Sequence, residues 1–185
     1  VIVADVHVVY PGFHRGLGMS AIQLARAMGA LEVYAVDINE EKLKLAEKYG
    51  AIPINATKGD PVAEIRRLTN GRGVDVVLEL IGLPQTMRQA VQSLAVFGRA
   101  GLVGITDRPF EIYPYVELLG KEAEVIGCAD HLLHELPLLI ELTRRGWLDL
   151  SDVVTCTIPL DADAINDALD ALEQFGGEVR TVITP

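Results

Sequence analysis

The feature that most constrains the fold is an alternation between short apolar, β-branched runs and stretches with apolar residues at helical spacing. Residues 6–10, 32–36, 52–55, 74–80, 99–103 and 124–127 read as strands. Between them, 19–28 repeats Ala21, Leu24, Ala25 and Met28 on one helical face, and 40–49, 61–68 and 85–94 also read as helices. Asn39 and Asp60 stand where N-caps belong, Pro61 suits a first helical position, and Gly29 and Gly50 act as stops. Parallel strands need long crossovers, which helices supply. Six strands joined this way predict an α/β protein with a doubly wound, six-stranded parallel sheet covered on both faces.

The pattern changes after Ala129. A helix over 132–145, a strand over 153–157, a helix over 162–174 and a strand over 180–184 follow a sheet that is already complete. The expected division is therefore 1–129 as one domain and 130–185 as a short α/β carboxy-terminal extension. With 26 acidic against 16 basic residues, the net charge is −10. That balance argues against a sequence-independent grip on nucleic acid and against anionic membrane surfaces. No apolar run nears the ~18 residues of a membrane span. Cys128 and Cys156 are too few for a disulfide framework, so a reducing, cytoplasmic setting is expected. The first residues carry no leader-like pattern and no Met, and they read as the inside of a longer chain.

Ligands of open parallel sheets settle at the carboxyl ends of the strands, where the strand order reverses. The turn over 11–18, after the first strand, lies there and contains Gly16 and Gly18. The helix that follows offers unpaired N–H groups and a positive dipole end, which suit a pyrophosphate. In a G-x-G-x-x-G fingerprint ending at Gly18, however, Phe13 and Arg15 occupy the first two glycine positions. A Cβ at position 15 crowds a phosphate approaching the backbone, while its guanidinium can pair with that phosphate. Asp37 stands 19 residues after Gly18, at the tip of the second strand. A carboxylate there accepts from both adenosine ribose hydroxyls and repels a 2′-phosphate, which favours NAD over NADP.

The segments "GLGMSAIQLARAMGALEVYAVDINEEKLKLAEKYGA" and "GRGVDVVLELIG" resemble the coenzyme-binding portion of zinc-type, medium-chain alcohol and polyol dehydrogenases. The resemblance implies a Rossmann fold binding NAD(H). It places Arg15, Gly16, Leu17 and Gly18 at the glycine loop, and Asp37 and Lys42 at the adenosine ribose. Leu80, Ile81 and Gly82 fall on the nicotinamide side, Val103, Gly104 and Ile105 at the carboxamide, and Arg180 at the pyrophosphate. It further implies a missing amino-terminal, GroES-like catalytic domain that carries the zinc, and a homo-oligomer joined through the sixth-strand edge. By this reading the chain is part of an oxidoreductase moving hydride between an alcohol or polyol and the nicotinamide, and is inactive alone.

No catalytic residue and no metal ligand is expected within the chain itself. Cys128, His131 and His134, with Asp130 between, lack an assured fourth ligand and read as the surface start of a helix. No nucleophile–base arrangement is legible either. The altered glycine loop supports an alternative from another class, a noncatalytic nucleotide-binding or oligomerisation module.

Overall fold

The computed structural model describes residues 6–10, 15–130, 132–151, 154, 156–173 and 181–185, with the backbone alone for 6–10, 15–16 and 172–173. The chain runs β1 (Val6–Tyr10), α1 (Arg15–Ala27), β2 (Glu32–Asp37), α2 (Glu40–Lys48), β3 (Ile52–Asn55), α3 (Pro61–Leu68), β4 (Val74–Glu79), α4 (Pro84–Ser93) and β5 (Leu94–Leu102). A short helical segment, Pro114–Leu118, then leads towards β6 (Glu124–Gly127). The remainder holds α5 (Leu136–Arg144), β7 (Cys156–Pro159), α6 (Ala162–Glu173) and β8 (Thr181–Thr184).

Six strands form one sheet in the order β3-β2-β1-β4-β5-β6, each neighbouring pair parallel. Alternation along β2 shows how its two faces are covered. Val33 and Ala35 pack with Ile22 and Ala25 of α1 and with Leu43 and Ala46 of α2. Tyr34 and Val36 point the other way, into a cluster with Ile65 of α3 and Ala90 of α4. Successive strand residues face opposite sides, so an almost wholly apolar strand requires cover on both. Among the described residues the second sheet consists of β7 and β8, also parallel, with Ile158 in register with Ile183.

Several boundaries move from the sequence expectation. α1 starts at Arg15 rather than 19, so Gly16 and Gly18 belong to its first turns and not to the preceding turn. Glycines leave no apolar side chain for a periodicity to register, which hid those turns. β5 starts at Leu94, not at 99, and its register against β4 shifts between Val74 and Val76. Phe97 sits there at φ +62°, a bend that an extended pattern does not announce. The helix expected from 132 is a tight turn at Leu133–Glu135 followed by α5, with Pro137 in the first turn. β7 is Cys156–Pro159, in register with β8; of the strand expected over 153–157, residues 153 and 155 lie outside the described residues.

Two polar knots hold the sheet's surroundings. The Arg66 guanidinium donates to the carbonyls of Gly71 (2.9 Å), Arg72 (3.2 Å), Gln92 (2.9 Å) and Leu94 (3.2 Å). It thereby ties the end of α3 to the α4–β5 junction. Arg66→Met keeps much of the apolar stem and strands those carbonyls; a loss of about 2 kcal/mol is expected. Thermal denaturation followed by circular dichroism should show Tm lower by about 4–8 °C.

On α4, Arg88 is ion-paired with the buried Glu117, whose Oε2 also accepts from Tyr113 N at 2.8 Å. Arg88 also lies over the Tyr113 ring, 4.8 Å from its centroid. Burial pushes the Glu117 carboxyl up, but the bonds from Arg88 and Tyr113, with the charges of Arg88 and Lys121, hold it below its ordinary value of 4.5. A depressed folded pKa means stability that is present above about 4.5 and lost as pH falls through the folded value. Glu117→Gln is therefore expected to lower Tm at pH 7, with the gap to the parent closing below pH 4 in an acid titration of Tm.

Candidate functional site

The strand order reverses between β1 and β4, and there the carboxyl ends of the parallel strands form a crevice edge. Registers align Tyr10 of β1 with Glu79 of β4, Glu79 with Leu102 of β5, and Asp37 of β2 with Asn55 of β3. α1 begins at Arg15, with only four residues between it and the end of β1, so its N-terminus opens at this edge. First-turn N–H groups have no intrahelical acceptor and carry the positive end of the dipole.

Asp37 ends β2 and is buried, at 7% exposure. Its Oδ1 accepts from Asn39 N at 2.9 Å, while Asn39 caps α2 by accepting from Glu41 N and Lys42 N. Oδ2 lies 4.0 Å from Lys42 Nζ. Among the described residues, this Oδ2 is the fully buried side-chain polar atom without a hydrogen-bond partner. Burial raises the Asp37 pKa above its ordinary value, opposed by the N–H groups of Asn39 and Ile38 and the Lys42 charge. An orphaned buried acceptor is costly, and a ligand hydroxyl satisfies it. On its outer flank, Glu40 takes Lys58 Nζ at 2.7 Å and Asn55 Nδ2 at 2.7 Å. Ile38, beside the carboxylate, is 62% exposed.

The turns after β4 and β5 meet backbone to backbone. Val103 N and Gly104 N both donate to the Glu79 carbonyl, at 2.9 and 3.0 Å. Gly82 has φ +85°, a conformation open to glycine, and a Cβ there would run into the backbone of Ile105. A Cβ on Gly104 would stand 2.6 Å from Gly82 Cα. Beneath this contact the Glu79 carboxylate, with no exposed surface, accepts from Ile81 N (2.9 Å), Gly82 N (3.0 Å) and Thr86 Oγ1 (2.8 Å). Leu83 and Ile105 present apolar side chains outward, Ile105 at 95% exposure.

The structure thus brings Leu80, Ile81 and Gly82 against Val103, Gly104 and Ile105, and brings Lys42 to Asp37. Gly18 is buried and Leu17 half exposed at the start of α1. The side chain of Arg15 and the burial of Gly16 lie outside what is described, as do the residues Phe13, His131 and Arg180. Among the described residues no His, Cys, Asp and Glu group is placed to hold a metal ion, and no helix is long and apolar enough to cross a membrane. Sequence reasoning missed Glu79. Its signal was present, a carboxylate flanked by apolar residues near the end of the run "VDVVLEL".

A family model described as zinc-binding dehydrogenase matches residues 16–145, which cover α1 to α5 and include both turns and Asp37. The chain belongs to the zinc-binding dehydrogenase family. Its similarity to the NAD-dependent alcohol dehydrogenase of Sulfurisphaera tokodaii is 34% identity over 172 residues, covering 92% of this chain and 48% of that one. The crystal structure of 2R,3R-butanediol dehydrogenase from Bacillus subtilis superposes with a TM-score of 0.86 at 33% identity, over 98% of this chain and 51% of that chain. A zinc-binding dehydrogenase from Sinorhizobium meliloti 1021 bound to NADP gives a TM-score of 0.83 at 26% identity, over 98% of this chain and 52% of that one. This family member spans about half the length of the relatives it matches.

Proposed function

We propose that this chain is the NAD(H)-binding portion of an oxidoreductase acting between an alcohol or polyol and the nicotinamide. The observation that carries the reading is Asp37 Oδ2, buried and without a hydrogen-bond donor at the tip of β2. Its position fits an adenosine ribose, whose two hydroxyls donate to a carboxylate. We read 1–129 as a doubly wound Rossmann domain and 130–185 as the segment that joins a GroES-like catalytic half. Bound NAD(H) supplies the hydride acceptor or donor.

The chain's own residues bind and orient. Asp37 takes the ribose hydroxyls, with Lys42 beside it. The N-terminus of α1, with Arg15 to Gly18, and Arg180 neutralise the pyrophosphate. Ile81 and Gly82, with Val103 to Ile105, give the nicotinamide a rigid, partly apolar seat and backbone partners for its carboxamide. Zinc, and the polarisation of the substrate oxygen that it supplies, belong to the other half.

A homo-oligomer through β6 is part of the proposal. Among the described residues β6 pairs with β5 alone, and Tyr113, Tyr115, Val116, Leu119 and Ile126 expose apolar surface on the segment leading to and forming that edge. Isothermal titration of the folded chain should show NADH binding with a nicotinamide contribution over AMP. No binding at millimolar NADH would overturn the reading. Phe13 and Arg15, in place of loop glycines, favour a second reading as a noncatalytic nucleotide module. Equal affinity for AMP and NADH would select it.

A further inference from the structure

We infer that Glu79 is a positioning residue for the nicotinamide half of the ligand, acting through the two turns that it locks together; the inference rests on the dinucleotide reading. A carboxylate buried this completely is costly unless its charge is met by donors. Here the donors are neutral and local: Ile81 N at 2.9 Å, Gly82 N at 3.0 Å to Oε1 and 3.2 Å to Oε2, and Thr86 Oγ1 at 2.8 Å. Thr86 Oγ1 also lies 2.9 Å from the Leu83 carbonyl, which places α4's first turn in the same network. The backbone carbonyl of Glu79 takes Val103 N and Gly104 N.

One residue therefore grips the turn after β4 with its side chain and the turn after β5 with its main chain. The two turns touch so closely that neither Gly82 nor Gly104 has room for a Cβ. A carboxylate with several acceptor sites can gather these donors at one buried point, and its charge strengthens each bond. What the arrangement fixes is the direction of backbone groups at the carboxyl edge, from Ile81 to Gly82 and from Val103 to Ile105. Glu79 itself, wholly buried, reaches nothing in the crevice. Its effect on a ligand is confined to the end that these turns face, leaving the adenosine end at Asp37 to its own contacts.

The test is the affinity of the whole chain for NADH and for ADP-ribose, which lacks the nicotinamide, measured by calorimetry in the parent, Glu79→Gln and Thr86→Val. Glutamine keeps the shape but loses the charge and turns an NH2 towards donors. The ratio of ADP-ribose Kd to NADH Kd is expected to fall about tenfold in Glu79→Gln, with ADP-ribose affinity unchanged. Thr86→Val, which removes one donor, should move it about threefold the same way. An unchanged ratio in both variants, or ADP-ribose affinity falling in step with NADH, would overturn the inference and leave Glu79 a purely structural residue. Equal parental affinity for both ligands would also overturn it, while leaving the adenosine site standing. Binding of neither by the folded parent would sink the dinucleotide reading itself.

Discussion

Replacing Asp37 with asparagine is expected to raise the Kd for NADH about 100-fold, because two hydrogen bonds to a charged acceptor weaken together. The same change should leave Tm at pH 7 equal or slightly higher. The Asp37 pKa is raised by burial, against the opposing Asn39, Lys42 and Ile38 contributions, so its charged form is less comfortable in the folded chain than in the unfolded one. A group raised on folding costs stability above its folded pKa, and that cost disappears as pH falls through it. Loss of affinity without loss of stability distinguishes a ligand-facing carboxylate from a structural cap. Asparagine also relieves the repulsion of a 2′-phosphate, so the preference for NADH over NADPH should shrink in the variant. Parental affinity should in turn fade on acidification at a higher pH than an ordinary aspartate would set. Calorimetry with both cofactors across pH, beside thermal melts, reads all of these outcomes.

Asp37 was accessible from sequence because a strand end is a position that spacing can define: an apolar run stops, a carboxylate follows, and an N-cap begins the next helix. The parallel pairing of six strands was equally within reach, since helical crossovers join parallel strands, whereas their order came only from the structure. Other features depend on partners distant in the chain. Gly104 looks like any glycine after a strand until Gly82, brought beside it by the pairing of β4 with β5, is seen to leave it no space. Glu79 is an anomaly in an apolar run, yet its role depends on N–H groups two and three residues later turning back over it. The early start of α1 was hidden because Gly16 and Gly18 in its first turn contribute backbone rather than pattern. Local chemistry was thus readable where it sat at an element's end, and hidden where two loops had to meet.

That meeting point sets the largest stability effect expected in the chain. Gly104→Ala should destabilise the fold by about 4 kcal/mol, since the new Cβ must displace backbone rather than the tip of a flexible side chain. The atoms in its way are Gly82 N, the nearest, then Gly82 Cα at 2.6 Å and the Ile81 carbonyl carbon at 2.7 Å. Both residues are pinned from below by the Glu79 carboxylate, through the N–H groups of Ile81 and Gly82. Yielding therefore means breaking a buried charged network or pulling the β5 turn off the Glu79 carbonyl. A drop in Tm of about 8–16 °C is expected in a thermal melt. Gly59→Ala supplies the control, because a Cβ there meets nothing within 4 Å and the change should stay within about 0.5 kcal/mol. If Gly104→Ala melts with the parent, the two turns separate more readily than this packing allows. A melt lowered as expected, with the Asp37 variant left intact, would place the fold's rigidity and its ligand chemistry on different residues of the same crevice edge.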